Sequence, residues 1–101
     1  MIYQVRLTDI AEADLRNIYD WISERASPSV ARGYIHRILG YLKSFEHFPA
    51  RGTLRDEILP GLRIVGFERR VSVAFVVEER EVVVLRLLYG GQPLALPEGL
   101  G

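Results

Sequence analysis

The sequence predicts an α+β fold, with an N-terminal strand, an α-helical hairpin and then a three-stranded antiparallel meander. Two observations carry this prediction. Apolar residues recur every three or four positions between residues 9 and 48, which is the spacing of amphipathic helices. After residue 60 the pattern changes to β-branched runs, at 71–77 and 82–88, which are separated by a short charged turn.

The first half of the chain predicts one strand and two helices. Residues 2–7 alternate and form a short strand, and Thr8 is placed to cap the helix that follows. Ser27, followed by proline, is typical of a second helix start, and Phe48, also followed by proline, ends that helix. Because few residues separate the helices, we expect an antiparallel hairpin. The apolar stripes are Ala11, Leu15, Ile18 and Ile22, and then Ala31, Tyr34, Ile38, Leu42 and Phe45.

The second half predicts a loop, three strands and a tail. Residues 50–60 hold a glycine, several charges and no periodicity, so we expect a loop there. We assign residues 1–90 to a single domain and expect an irregular tail at 91–101, where glycines and prolines are frequent. The predicted elements after the loop are strands at 62–65, 71–77 and 82–88, with a turn at 66–69.

The last two predicted strands are apolar on both faces. A sheet with one face in water normally alternates apolar and polar residues, and a helical hairpin covers only one face. Because an uncovered strand face costs several kcal/mol at about 25 cal/mol per Å², we expect a second cover. Either the tail leucines Leu94, Leu96 and Leu100 or a partner chain provides it. Strict alternation divides the third strand into Val71, Val73, Phe75 and Val77 against Ala74 and Val76, and the fourth into Val82, Val84 and Leu88 against Val83, Leu85 and Leu87.

The composition indicates a cytoplasmic protein that carries no cofactor and does not associate with membranes. The 101 residues include no cysteine, which excludes disulfides and thiolate metal sites. The N-terminal residues lack a signal-peptide pattern, and no apolar run reaches membrane-spanning length. Thirteen basic residues balance thirteen acidic ones, which disfavours tight unaided binding to DNA or RNA. All the basic residues except Lys43 are arginines, which suit bidentate contacts with carboxylate or phosphate groups. Codon bias in a GC-rich genome would also explain this preference for arginine over lysine.

Side-chain catalysis is poorly supported, so we predict no catalytic residue. Ribonuclease chemistry needs an acid, a base and cations. Arginines supply cations, but no lysine or histidine follows Phe48, and arginine does not deprotonate in proteins. The run 55–57 (RDE) is interpreted either as a salt-bridged surface cluster or as an interaction site. We predict no metal site, because His36 and His47 lack clustered carboxylates.

A set of short runs, in this order and at these spacings, spans residues 2–90. The runs are 11–15 (AEADL), 19–22 (YDWI), 48–49 (FP), 55–57 (RDE), 60–63 (PGLR) and 84–88 (VLRLL). Together they resemble the ParE family of the RelE/ParE toxin superfamily. One departure stands at the end of the last strand, where 89–92 (YGGQ) replaces the family's run resembling His-Gly-Arg.

The resemblance implies the toxin of a type II toxin–antitoxin module, of the kind associated with plasmid stabilisation. ParE-like toxins are described as inhibitors of DNA gyrase, whereas RelE-like relatives cleave mRNA on the ribosome. The resemblance also implies a ParD-like antitoxin that folds over the helical hairpin and the sheet. The antitoxin supplies the DNA-binding part of the pair, so the toxin meets operator DNA only indirectly.

Two sets of site residues follow from this resemblance and from the apolar sheet faces. We expect the antitoxin to lie across the second sheet face and the groove of the helical hairpin. The residues predicted to bind it are Trp21, Tyr34, Arg55, Arg63 and Arg86. The residues predicted to contact the target are Arg51, Asp56, Glu57, Arg69, Arg70 and Tyr89. The leading hypothesis is a gyrase inhibitor that acts by binding. The alternatives are a RelE-like ribosome-dependent mRNA endoribonuclease and a non-toxic domain that only binds antitoxin.

Overall fold

The structure, a computed structural model, describes residues 2–96 and confirms the predicted α+β fold. Its elements are β1 (Gln4–Leu7), α1 (Asp9–Arg25), α2 (Pro28–Lys43), a 3₁₀ helix (Ser44–Glu46), β2 (Thr53–Leu54), β3 (Leu62–Phe67), β4 (Val71–Val77) and β5 (Glu81–Tyr89). The strands form one sheet in the order β1-β5-β4-β3-β2. β1 runs parallel to β5, and the other neighbours are antiparallel. Across residues 2–96, no helix has the length and apolar character needed to cross a membrane.

Both helices begin where the sequence predicts. The Thr8 hydroxyl accepts a hydrogen bond from the Ala11 amide at 3.1 Å, and the Ser27 hydroxyl accepts one from the Val30 amide at 3.1 Å. These bonds satisfy amide groups that have no partner within the helix. The Thr8 hydroxyl also donates to the Leu85 carbonyl at 3.1 Å. The start of α1 is therefore fixed directly against β5.

The segment predicted as a loop contains the short strand β2, so the prediction for residues 50–60 is wrong in part. Thr53 and Leu54 pair antiparallel with Ile64 and Arg63 of β3. Gly52 permits this approach, because it has φ +70 and a Cβ there would collide with the Ile64 carbonyl. A two-residue strand shows no periodicity in the sequence, which is why the pattern did not reveal it.

The predicted alternation of β5 fails at its C-terminal end. Ala74 of β4 pairs with Arg86, but the next residue, Phe75, pairs with Val84, so Leu85 is the extra residue of a β-bulge. The bulge moves Leu87 into the core cluster beneath the helices, where strict alternation had placed Leu88. Leu15 of the predicted α1 stripe is only partly buried and packs against this core. The buried core residues on the helix-facing side are Ala11, Ile18, Ile22, Ala31, Tyr34, Ile38, Leu42, Phe45, Val71, Val73, Phe75, Val82, Val84 and Leu87.

The second sheet face, opposite the helices, has its own apolar cluster and its own cover. Leu62, Ala74, Val83 and Leu85 are buried there. Leu94 and Leu96 of the tail pack against them, together with Leu59 from the segment before β3. The tail therefore provides part of the expected cover. Residues 91–96 contain no helix or strand, and Leu100 lies outside the described residues.

Candidate functional site

A cleft of about 800 Å³ opens where α1, the turn between β3 and β4, and the end of β5 meet. We call it the cleft. It brings together four residues that the sequence analysis singled out, because Trp21, Arg69, Arg70 and Tyr89 all line it. The remaining lining residues are Asp14, Asn17, Ile18, Glu68, Leu87, Gly90, Gly91 and Gln92.

Aromatic rings form one wall of the cleft. The rings of Trp21 and Tyr89 are in contact, with centroids 4.8 Å apart, and Trp21 remains 42% exposed. Arg25 also lies over the Trp21 ring, with its guanidinium carbon 4.0 Å from the ring centroid. Tyr34 meets Tyr89 edge-on at 6.2 Å. A half-exposed tryptophan held by aromatic and cationic neighbours is a typical anchor for a binding partner.

Tyr34 itself is largely covered by the protein. It is only 6% exposed, and its hydroxyl has no hydrogen-bond partner among the atoms of residues 2–96. Burial raises the pKa of the Tyr34 hydroxyl, and the nearby Glu68 carboxylate adds to this effect. The hydroxyl is therefore neutral at physiological pH, and Tyr34 acts as the support of Tyr89 rather than as an open surface residue.

The turn between β3 and β4 contributes Arg69 and Arg70, which form the cationic wall of the cleft. The Arg70 amide donates to the Phe67 carbonyl at 3.1 Å, and Glu68 and Arg69 between them have φ of 50° and 60°. Two successive positive φ angles define a type I′ turn, which favours asparagine and glycine. The Gly90 amide then donates to the Arg70 carbonyl at 2.7 Å, which ties the turn to the end of β5.

The charges that line the cleft do not cancel one another. The Asp14 carboxylate binds Arg86, and the Glu68 carboxylate binds Arg37, which is on α2. Neither arginine partner lines the cleft. The hydrogen bond from Arg37 holds the pKa of Glu68 below its usual range. Arg69 and Arg70 make no close ion pair within residues 2–96, although the charge of Arg70 also helps to lower the pKa of Glu68. The cleft therefore presents two arginines whose guanidinium groups are not bound to a carboxylate.

Arg86, one of the residues predicted to bind antitoxin, is engaged within the protein. Its guanidinium donates to both carboxylate oxygens of Asp14, at 2.8 and 3.1 Å, and also to the Ala95 carbonyl. This hydrogen bonding raises the pKa of Arg86. Contact with an antitoxin would compete with these internal bonds.

The remaining predicted site residues lie outside the cleft, around β2. Arg51 donates to the Ser44 carbonyl at 2.9 Å and stacks on Phe45 at 4.6 Å, so it joins the end of the helical hairpin to β2. The Arg63 guanidinium reaches the Arg51 carbonyl at 3.4 Å.

The run 55–57 forms a local cluster. Arg55 binds Glu57, and this contact lowers the pKa of Glu57. Asp56 accepts a hydrogen bond from the Gly61 amide at 2.7 Å. The geometry matches the interpretation as a salt-bridged surface cluster. Whether these residues also contact a partner stays a prediction.

Sequence reasoning missed three residues that shape the cleft: Asp14, Arg37 and Glu68. Asp14 did leave a signal, because it falls between Ala11 and Ile18 on the apolar stripe of α1, where a carboxylate needs a buried partner. Arg37 and Glu68 are 31 residues apart, and no pattern in the sequence indicates that they pair. Among residues 2–96, no group of three or more histidine, cysteine or acidic side chains is arranged to hold a metal ion.

A family model described as the ParE toxin of the type II toxin–antitoxin system parDE matches residues 5–94. The protein belongs to this ParE toxin family. The match confirms the predicted resemblance and assigns the chain to the toxins of type II toxin–antitoxin systems. No curated protein sequence matches the chain.

Solved structures similar to this ParE-family protein include two toxin–antitoxin systems. One is described as the chromosomal ParDE toxin–antitoxin system from P. aeruginosa, with a TM-score of 0.76 and 28% identity over 88% of this chain and 97% of that chain. The other is the toxin–antitoxin complex RelBE2 from Mycobacterium tuberculosis, with a TM-score of 0.63 and 20% identity over 91% of this chain and 95% of that chain. At that lower identity the second similarity shows a shared fold alone.

Proposed function

We propose that this ParE-family toxin inhibits DNA gyrase by binding it in the cytoplasm, and that a ParD-like antitoxin neutralises it. The observation that carries the proposal is the contact between Trp21 and Tyr89 in the cleft. Trp21 was predicted to bind the antitoxin and Tyr89 to contact the target. Because the two rings touch, an antitoxin that covers Trp21 also blocks Tyr89. The antitoxin would therefore neutralise the toxin by occupying the surface that contacts the target.

The chemistry of the cleft supports a binding role over a catalytic one. Its lining includes cations, aromatic rings and two carboxylates that are held by arginines, but no histidine or lysine. A general acid and base must exchange protons near neutral pH. Arg69 and Arg70 cannot do so, and the Glu68 carboxylate, with its lowered pKa, is a weak base.

The proposal is tested with purified toxin in a gyrase supercoiling assay. We expect inhibition or trapped cleaved DNA, and we expect preincubation with a cognate ParD-like antitoxin to abolish the effect. Arg70→Gln should weaken inhibition, whereas Arg80→Gln, which changes an exposed arginine in the turn after β4, should not. A folded preparation that arrests growth without affecting gyrase would contradict the proposal.

A ribosome-dependent endoribonuclease is the second candidate, and the position of Tyr89 beside two unpaired arginines favours it. This function predicts site-specific mRNA cuts soon after induction, which Tyr89→Phe abolishes. Primer extension on abundant transcripts distinguishes the two functions, because a gyrase inhibitor leaves the transcripts intact. Unchanged growth on expression would instead favour a domain that only binds antitoxin.

A further inference from the structure

We propose that the cleft is a receptor for an acidic segment of the toxin's target, with a carboxylate bound by Arg69 and Arg70 and an adjacent apolar side chain placed on Trp21. We further assign Arg37, which lies outside the cleft, as the positioning residue that keeps the two arginines free. The identity of the segment's owner rests on the proposed function, whereas the chemistry of the cleft stands without it.

The charge arrangement is the first support. A turn with the sequence Glu68-Arg69-Arg70 would ordinarily neutralise part of its own charge. Arg37 prevents this, because its Nε and Nη2 atoms bind both Glu68 carboxylate oxygens, at 2.9 and 3.1 Å. A bidentate pair of this kind fixes the carboxylate in direction as well as in distance. Asp14, the other acid in the cleft, is occupied by Arg86 in the same way.

The backbone of the turn is the second support. Glu68 and Arg69 both occupy the left-handed region, where residues other than glycine or asparagine cost free energy. Asparagine followed by glycine would form this turn without strain, but it would remove both the Arg37 contact and one cation. Strain that persists beside a cleft is typical of a binding site.

Aromatic packing completes the receptor. The Trp21 side chain is 42% exposed and contacts Tyr89, and Tyr89 in turn contacts the buried Tyr34. An apolar or aromatic side chain next to a carboxylate would meet the ring and the arginines at once. Such a combination of a desolvated aromatic anchor and arginine is common where proteins bind tightly.

The charge of the whole molecule favours an acidic protein segment over nucleic acid. Affinity for a phosphate backbone depends on neutralising many phosphates and usually needs a basic excess. This chain has thirteen basic and thirteen acidic residues, so its composition provides no such excess. Two free arginines suffice for one carboxylate but not for a polyanion.

Trp21 is the only tryptophan of the chain, so its fluorescence reports directly on the cleft. We would titrate the toxin with the peptide acetyl-Gly-Asp-Phe-Glu-Gly-amide, with its Asn/Gln counterpart and with an eight-nucleotide oligothymidylate. We expect a saturable change with the acidic peptide and binding at least about tenfold weaker for the Asn/Gln counterpart, as the loss of a charge-assisted contact predicts. Arg69→Gln/Arg70→Gln should lose the response, and Arg80→Gln should keep it.

A double-mutant pair tests the positioning role of Arg37. Arg37→Ala frees Glu68 to pair with the cleft arginines, so peptide affinity should fall about three- to tenfold. Adding Glu68→Gln to Arg37→Ala removes the competing carboxylate and should restore affinity. If Arg37 only stabilised the fold, the second substitution would not rescue binding. Failure of this rescue overturns the positioning role.

Two outcomes overturn the receptor itself. One is tighter binding of oligothymidylate than of the acidic peptide, and the other is equal inhibition of gyrase by the parent toxin and by Arg69→Gln/Arg70→Gln. In the second case the proposed function survives and the assignment of the cleft fails. If the peptide binds with the expected charge dependence while the parent toxin leaves gyrase unaffected, the receptor stands and gyrase is the wrong target. If, in that second case, the double variant also loses antitoxin binding, the cleft belongs to the antitoxin rather than to the target.

Discussion

Asp14 on α1 and Arg86 on β5 form a bidentate ion pair in which the Asp14 side chain is 10% exposed and the Arg86 side chain 17% exposed. The Asp14 carboxylate also accepts a hydrogen bond from the Leu87 amide at 2.9 Å. β1 pairs with β5 only as far as Val84, so the rest of this strand edge has no neighbouring strand. Thr8 and Asp14 of the helical segment replace that neighbour and satisfy the exposed backbone groups of β5.

The first prediction concerns this pair. Asp14→Ala leaves the Arg86 guanidinium and the Leu87 amide without their partner, so the free energy of unfolding should fall by about 3 kcal/mol. Urea denaturation followed by circular dichroism measures the change. A loss below about 1 kcal/mol would mean that water replaces the carboxylate without cost.

The chain contains a matched control for the Asp14 substitution. Arg6 and Glu81 also form a bidentate arginine–carboxylate pair between distant segments, at 3.1 and 3.2 Å, but their side chains are 55% and 31% exposed. Glu81→Gln should leave the free energy of unfolding almost unchanged, because exposed pairs are well hydrated.

The second prediction contrasts two glycines. Gly52→Ala forces a Cβ against the Ile64 carbonyl at φ +70, so we expect a loss of about 1–3 kcal/mol in the free energy of unfolding. Gly40 lies inside α2 with open space where a Cβ would stand, and Gly40→Ala should raise stability by about 0.5–1 kcal/mol. Thermal denaturation of both variants gives the comparison. Equal effects of the two substitutions would contradict the role assigned to Gly52.

Some elements of this fold could be predicted from the sequence, and others could not. The helices were predictable because their signals are local: Thr8 and Ser27 are caps, and the apolar stripes follow α1 and α2. The second stripe continues to Phe45 in the 3₁₀ helix, because α2 itself ends at Lys43 and not near Phe48 as predicted. The bulge at Leu85 and the strand β2 were not, because each depends on how a distant strand approaches. Leu87 and Leu88 are equally apolar, so no local pattern shows which one the bulge turns inward.

Four residues that line the cleft were singled out from the sequence, but their assembly into one site was not predicted. Arginines and aromatic residues stood out in the sequence, yet Trp21 and Tyr89 are separated by most of the chain and meet only after α1 packs on β5. Arg69 faces the cleft because of a turn with positive φ angles that its own residue type does not favour. Tertiary contacts, rather than local preference, decide both features.

The third prediction concerns the Tyr34 hydroxyl. Removing a buried hydroxyl that lacks a partner within residues 2–96 should raise the free energy of unfolding at pH 7 by about 1 kcal/mol in Tyr34→Phe. Because the folded pKa of Tyr34 is raised above its usual value of 10, its contribution is present below pH 10 and is lost as the pH rises toward the folded pKa. Tyr34→Phe should therefore flatten the decline in stability above pH 10. Tyr19→Phe, on α1, is the control and should keep the parent profile.

The fourth prediction concerns the stability of the protein at acidic pH. Arg37 holds the pKa of Glu68 below its usual value of 4.5 in the folded protein, so the stabilising contribution is complete above that value. It is lost as the pH falls below 4.5 toward the folded pKa. Glu68→Gln should therefore reduce the drop in unfolding free energy between about pH 6 and pH 3, as measured by urea denaturation. Because the pair is exposed, NaCl at about 1 M should reduce the difference between parent and variant.

Removal of one surface carboxylate alone would also alter acid stability, so a control is needed. Glu79 is exposed in the turn after β4 and makes no ion pair within residues 2–96. Glu79→Gln should keep the parent profile. Identical profiles for Glu68→Gln and the parent would show that the Arg37 contact does not persist in solution.

The fifth prediction concerns the tail on the second sheet face. Leu94 and Leu96 pack over the apolar cluster there, and Arg86 binds the Ala95 carbonyl between them. A ParD-like antitoxin that crosses this face, as the sequence analysis predicts, must displace the tail first. Leu94→Ala/Leu96→Ala lowers the free energy of that displacement, so antitoxin affinity should rise about three- to tenfold in calorimetry.

A control separates this effect from a general loosening of the protein. The free toxin carrying both tail substitutions should lose about 1–2 kcal/mol of unfolding free energy, because two half-buried leucines are truncated. Leu39→Ala, at a residue 44% exposed on α2, should leave stability within about 0.5 kcal/mol. Reduced antitoxin affinity of the tail variant would contradict displacement, because the leucines would then be part of the antitoxin contact itself.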